Sequence, residues 1–235
     1  MTESRWLSCT DPMPMLDFLK GKASDRKLRL FAVACSRRIW DLITHEVSRK
    51  AVQTAEAYAD DRVSLKELNV TFRAADRVES NAVDILPGVE HAFAASAARL
   101  AAHPEIRGLA DGTADAARMA AAFSKVKRKH EKIGIDFGEH YLREEPNEES
   151  DQCVLLRDIF GNPFRPIILD PSWLTPTVKA LAQSIYDDRD FDQMPILADS
   201  LEKAGCDNQE ILGHCRGMGP HVRGCWALDA VLGKE

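Results

Sequence analysis

The chain has 235 residues, 45% of them hydrophobic and 29% charged, with a formal net charge of -6. This is an ordinary globular balance, long enough for one large core or two small ones, and it excludes global disorder. The negative balance also argues against a general binder of phosphate backbones, leaving only a local basic face to consider.

Residues Met1 to Leu7 lack the uninterrupted apolar core of a signal peptide, and no later apolar run approaches membrane-spanning length, so the cytoplasm is the expected location and no membrane partner is expected. In that compartment Cys9, Cys35, Cys153, Cys206, Cys215 and Cys225 are free thiols or metal ligands before they are disulfides, and no CxxC pair occurs. Thr10-Asp11-Pro12 starts a helix, because Asp11 accepts orphan backbone donors and Pro12 lacks the donor that the first helical position leaves unused; Gly21 ends it. Ser24 starts the next, with Leu28, Phe31, Ala32, Cys35, Ile39 and Leu42 at helical spacing. A third begins at Thr44 or Ser48 and ends at Asp60-Asp61. Ser64-Leu65-Lys66-Glu67 is a capping box for a fourth, which Pro87-Gly88 closes. A fifth reaches about Ala102, and Asp111-Gly112-Thr113 opens a sixth. Alanines dominate 92–122, so neighbouring helices can approach closely, and a bundle is the simplest arrangement.

The run 143–151 is acidic, polar and broken by Pro146, and is expected to be a solvated linker between an N-terminal bundle (1–142) and a C-terminal helical region (152–235); the two ends of the chain are candidates to pack together. Beyond it, Cys153 to Phe160 is a short helix stopped by Gly161. Phe164 to Pro171 is an extended, Pro-rich corner, because each proline restrains its predecessor away from helix. Thr175-Pro176 restarts helix, Met194 to Ala204 supplies another with Gly205 at its end, and Asp207-Asn208-Gln209-Glu210 reads as a second capping box. A last helix is expected from about His221 to Leu232. The expected fold class is mostly α.

The constellation with most chemistry in it is Cys206, His214, Cys215, His221 and Cys225. Thiolates and imidazoles are favoured zinc ligands, and His221 and Cys225, four apart, would share a helix face; Cys206, His214, His221 and Cys225 are the candidate ligand set. The spacing matches no standard finger, so the plainer reading is that the cysteines are small buried hydrophobes and the histidines structural. A Cys225 nucleophile with His221 as base lacks an oxyanion-loop signature, and no catalytic residue is assigned. Arg216 and Arg223 are candidates to contact an anion or a partner's carboxylate. Arg118, Lys125, Arg128, Lys129 and Lys132 lie on one face of the 118–132 helix; this basic stripe has no interleaved aromatics, and the plainer reading is a solvated face neutralised by the 144–151 acids.

Two long strings carry a resemblance. Trp6-Leu7-Ser8-Cys9-Thr10-Asp11-Pro12 with Lys22 to Ala32 and Arg37-Arg38-Ile39-Trp40, and Leu155 to Pro166 continuing through Pro195-Ile196-Leu197-Ala198-Asp199 to Gly219-Pro220-His221-Val222-Arg223-Gly224-Cys225-Trp226, resemble a large paralogous family of planctomycete bacterial proteins. The Ala-rich middle looks like that family's variable region. Met218 stands where the family string usually reads proline, and Ser36 where a second cysteine is common. The resemblance implies a bacterial, cytoplasmic setting and carries no activity, cofactor or catalytic residue to this chain. The expectation is therefore a non-catalytic interaction or scaffold protein with a protein partner, no resident cofactor and no nucleic acid; the alternatives are a zinc-binding protein or metalloenzyme using the C-terminal His and Cys residues, and nucleic-acid binding through the 118–132 face.

Overall fold

The computed structural model describes residues 1–133 and 137–234, and the side chains of these except 83 and 125–147. In chain order the helices are α1 (Glu3–Ser8), α2 (Pro12–Leu19), α3 (Asp25–Arg38), α4 (Glu46–Ala59), α5 (Leu65–Ser80), α6 (Ala82–Ile85), α7 (Val89–Ala101), α8 (Ala110–Ile133), α9 (Phe137–Phe160), α10 (Pro176–Asp188), α11 (Met194–Lys203), α12 (Gln209–Arg216) and α13 (Trp226–Leu232). Three short 3-10 turns punctuate them, and the described residues contain no strand. The fold is mostly α, as the periodicity requires. Among the described residues no helix is long and apolar enough to cross a membrane.

The starts follow local chemistry. Asp11 accepts from Met13 N, Ser24 from Lys27 N and Thr175 from Val178 N, and Ser64 and Glu67 form the reciprocal capping box. At α4 the cap is His45, whose Nδ1 accepts from Val47 N at 3.2 Å, a residue type outside the usual capping set. The second capping box is corrected: Asn208, one position later than expected, accepts from Glu210 N and Ile211 N. The Pro-rich corner stays non-helical until a 3-10 turn at Pro171–Trp173, where Asp170 accepts from Ser172 N.

The chain divides into two compact units, one of Met1 and Ser8–Cys153, the other of Thr2–Leu7 and Val154–Glu235. The expected linker 143–151 instead lies inside α9. One reason is that its acids are not all solvated: Glu148 is buried, and both its oxygens accept from Arg38, at 3.0 Å each, while Asp151 pairs with the same guanidinium.

In the first unit α7 and α8 pack most extensively, through Ala94, Ala98 and Ala101 on one side and Ala114, Ala117 and Ala120 on the other, all buried. Phe93 and Phe123 stack beside them. Arg29, fully buried in α3, donates to the carbonyls of Ala101, His103 and Pro104 and so caps the end of α7. Burial pulls its guanidinium down to about 10, which still leaves it charged at neutral pH.

In the second unit α10 to α13 enclose an apolar cluster that includes Ile185, Tyr186, Met194, Leu201, Ile211 and Leu228. Trp6 of α1 is fully buried, donates its indole N–H to Gly161 O and accepts from Arg157 at its own carbonyl, which fixes the N-terminal segment to the last turn of α9. Gly161 ends that helix in the left-handed region (φ +62).

A candidate metal centre in the C-terminal unit

The candidate site is assembled from the last turn of α9, from α12 and from the segment that joins α12 to α13. On α9, Leu155, Leu156 and Ile159 turn into the core, and Asp158 sits among them with a side chain only 4% exposed. On α12, Ile211, Leu212 and Cys215 are buried, and His214, three residues after Ile211, stands at the edge of that stripe. The helix expected from His221 is absent: α13 begins only at Trp226. Residues 221–225 are held instead by a turn in which Cys225 N donates to Val222 O at 2.9 Å, with Gly224 at φ +90, a conformation that side-chain-bearing residues rarely adopt. This turn, rather than helical spacing, brings His221 and Cys225 together.

Asp158, His214, His221 and Cys225 each present one donor atom, and all four atoms lie within 4.8 Å of one another. Asp158 Oδ1 is 2.9 Å from His221 Nδ1 and 3.3 Å from His214 Nε2. Cys225 Sγ is 3.1 Å from His214 Nε2 and 3.9 Å from His221 Nδ1. In a tetrahedral zinc centre with ordinary bond lengths, donors stand roughly 3.3–3.6 Å apart. The second carboxylate oxygen of Asp158 accepts from Val222 N at 3.0 Å, which orients it. The rings of His214 and His221 meet edge to face at 4.8 Å, and Trp226 covers His214 at the same centroid distance.

Burial and hydrogen bonding act on the carboxyl and the thiol of the cluster. Burial raises the Asp158 carboxyl, but its hydrogen bonds to His214 and His221 outweigh that and hold it below its ordinary 3.8. Burial, reinforced by the Asp158 charge, pushes the Cys225 thiol well above its ordinary value, against the pull of the N–H groups of Ala227 and Leu228. His221 Nε2 is buried and has no hydrogen-bond partner among the described residues.

The geometry separates two kinds of chemistry. A cysteine nucleophile activated by an Asp–His pair needs the carboxylate on one ring nitrogen and the thiol on the other. Here Asp158 and Cys225 face the same nitrogen of each ring, Nε2 of His214 and Nδ1 of His221. The four groups therefore surround a common point instead of forming a relay.

Of the four candidate ligands named from sequence, His214, His221 and Cys225 converge and Cys206 does not. Cys206 and Cys215 belong to the apolar cluster of the unit, and burial raises both thiols, Cys215 to about 12. The fourth donor is Asp158, 63 residues before His221. The one sequence signal for it is a carboxylate interrupting the apolar run Leu155 to Phe160.

The other candidate residues are engaged within the chain. Arg216 pairs with Asp199 and Glu202 at 2.9 and 2.7 Å, and Arg223 donates to the carbonyls of Tyr186 and Asp187 at the end of α10. Arg223 thus pins the 221–225 turn to α10. On the basic face, Arg118 pairs with Asp115 and lies 3.9 Å from Glu149, one of the acids expected to neutralise it. The side chains of Lys125, Arg128, Lys129 and Lys132 lie outside the described residues. No family model matches this chain, and neither a curated protein nor a solved structure is found to be similar to it.

Proposed function

We propose that this is a zinc-binding, non-catalytic helical protein whose C-terminal unit holds the ion on Asp158, His214, His221 and Cys225. The supporting observation is the convergence of one nitrogen from each imidazole, one carboxylate oxygen and one thiol sulfur on a single point. A thiolate with two imidazoles selects a borderline-soft ion and disfavours magnesium or calcium, and the donors, 2.9 to 4.8 Å apart, reach a tetrahedral centre by small side-chain shifts. One carboxylate and one thiolate also neutralise a divalent ion, which is what a site this enclosed requires. Four protein donors fill a tetrahedron and leave no position for substrate, in keeping with a role other than catalysis.

The test is elemental analysis of protein purified without a histidine tag, together with the visible and near-ultraviolet spectrum after cobalt substitution. About one zinc per chain is expected, with a thiolate-to-cobalt charge-transfer band that Cys225→Ser removes. Folded protein that takes up neither ion at stoichiometric addition would overturn the assignment.

A further inference from the structure

We infer that the ion at this site is exchangeable: the C-terminal unit keeps its fold without it, and the chain is a reversible, metal-responsive module for a zinc-class ion. This rests on the metal-binding reading above and adds to it how the site is used.

Three observations carry the inference. The first is where the unit gets its stability. Of the four donors only Cys225 belongs to the buried apolar cluster of α10 to α13, and the rest of that cluster is aliphatic and aromatic packing that needs no ion. Small zinc domains that unfold when stripped have no such core.

The second is how the donors stand with respect to one another. Asp158 Oδ1 lies within hydrogen-bond distance of both imidazoles, Asp158 Oδ2 accepts from Val222 N, and Cys225 Sγ lies 3.1 Å from His214 Nε2. These contacts link every donor to a neighbour, so removing the ion leaves no bare buried carboxylate.

The third is access. The side chains of Asp158 and His221 are 4% and 7% exposed and Cys225 is fully buried, but His214 is 20% exposed. The cluster therefore meets solvent along one edge, that of His214, and an ion can pass there by rotation of one side chain. A single thiolate among harder oxygen and nitrogen donors gives a less tenacious hold than cysteine-rich sets. The part that reads the ion is the non-helical run 217–225, which carries two of the four donors and is otherwise pinned through Arg223.

The experiment uses the full chain without a tag, stripped with EDTA, with zinc and cobalt ions as probes. Far-ultraviolet circular dichroism and thermal unfolding of the stripped protein are measured first, then cobalt titration by the thiolate band and by tryptophan fluorescence, then release to excess EDTA. The expected result is unchanged helicity and cooperative unfolding after stripping, one cobalt taken up per chain, its release under native conditions, and an unfolding midpoint that rises with zinc concentration. If the ion binds but leaves only when the protein unfolds, or if stripping abolishes part of the helicity, the exchangeable-site inference is overturned while the metal-binding reading stands. If neither ion binds at all, the metal-binding reading itself fails.

Discussion

The two units bury polar groups in opposite ways. In the N-terminal unit, buried charge meets its complement: Arg29 gives its donors to three carbonyls, Arg37 grips both oxygens of Glu56, and Arg38 grips both oxygens of Glu148. In the C-terminal unit a buried carboxylate, a buried thiol and two partly buried imidazoles, each able to donate an electron pair, face one another. A cluster that matches donor to acceptor is complete as it stands. One that gathers such groups around a point would, on the reading proposed above, be completed by a cation, and that contrast separates structural polarity from candidate chemistry here.

The comparison can be broken at either end, and the largest effect belongs to Arg29. Arg29→Met removes the donors to one buried and two partly buried carbonyls and is expected to lower stability by about 3 kcal/mol, read by denaturant unfolding. A change under about 0.5 kcal/mol would show that these contacts are incidental.

Asp158→Asn comes next. It removes an anionic ligand, so zinc affinity should fall by more than about 100-fold, beyond what loss of an outer partner costs. In stripped protein the same change should cost about 2 kcal/mol. The sign with pH follows from the lowered carboxyl: its contribution is complete above its ordinary 3.8 and is lost as pH falls through the lower folded value. The variant should accordingly show a flatter acid limb than wild type in an unfolding series from pH 6 down to about pH 2. Equal metal content in the two proteins would remove Asp158 from the ligand set.

Asn208→Ala removes the cap of α12, the helix that carries His214, and should lower stability by about 1 kcal/mol, or about 2–4 °C in the unfolding midpoint. Because the donors are also held by α9 and by the 221–225 turn, metal stoichiometry should not change. The smallest effect is a reactivity pattern. Cys9 is partly exposed and the other five cysteines are buried, so one thiol per native chain should react quickly with a disulfide reagent. Fast reaction of Cys225 in stripped protein would show that the cluster opens far more than its burial suggests.

Most of the helices were legible because their determinants are local. Asp11, Ser24, Ser64 and Thr175 cap where a short acceptor precedes an apolar period, and Gly161 stops α9 where a left-handed residue is needed. The failures share a cause. The 143–151 stretch looked solvated because its acids have no partner in the neighbouring sequence; the partner of Glu148 and Asp151 is Arg38, more than a hundred residues earlier. His221 and Cys225 looked helical because a spacing of four is the only local reason to pair them, whereas a glycine turn pinned through Arg223 pairs them in fact.

The sequence by itself determined the helical class, most helix starts and stops, and the residue types near the C-terminus that bind metals, because propensity, capping and side-chain chemistry act within a few residues. Only the tertiary structure decided that Asp158 replaces Cys206 beside His214, His221 and Cys225, and that each imidazole turns one nitrogen to the same point. A ligand set is a matter of distances of a few ångströms between side chains far apart along the chain, and those distances are set by how α9 and α12 pack, which no local pattern encodes.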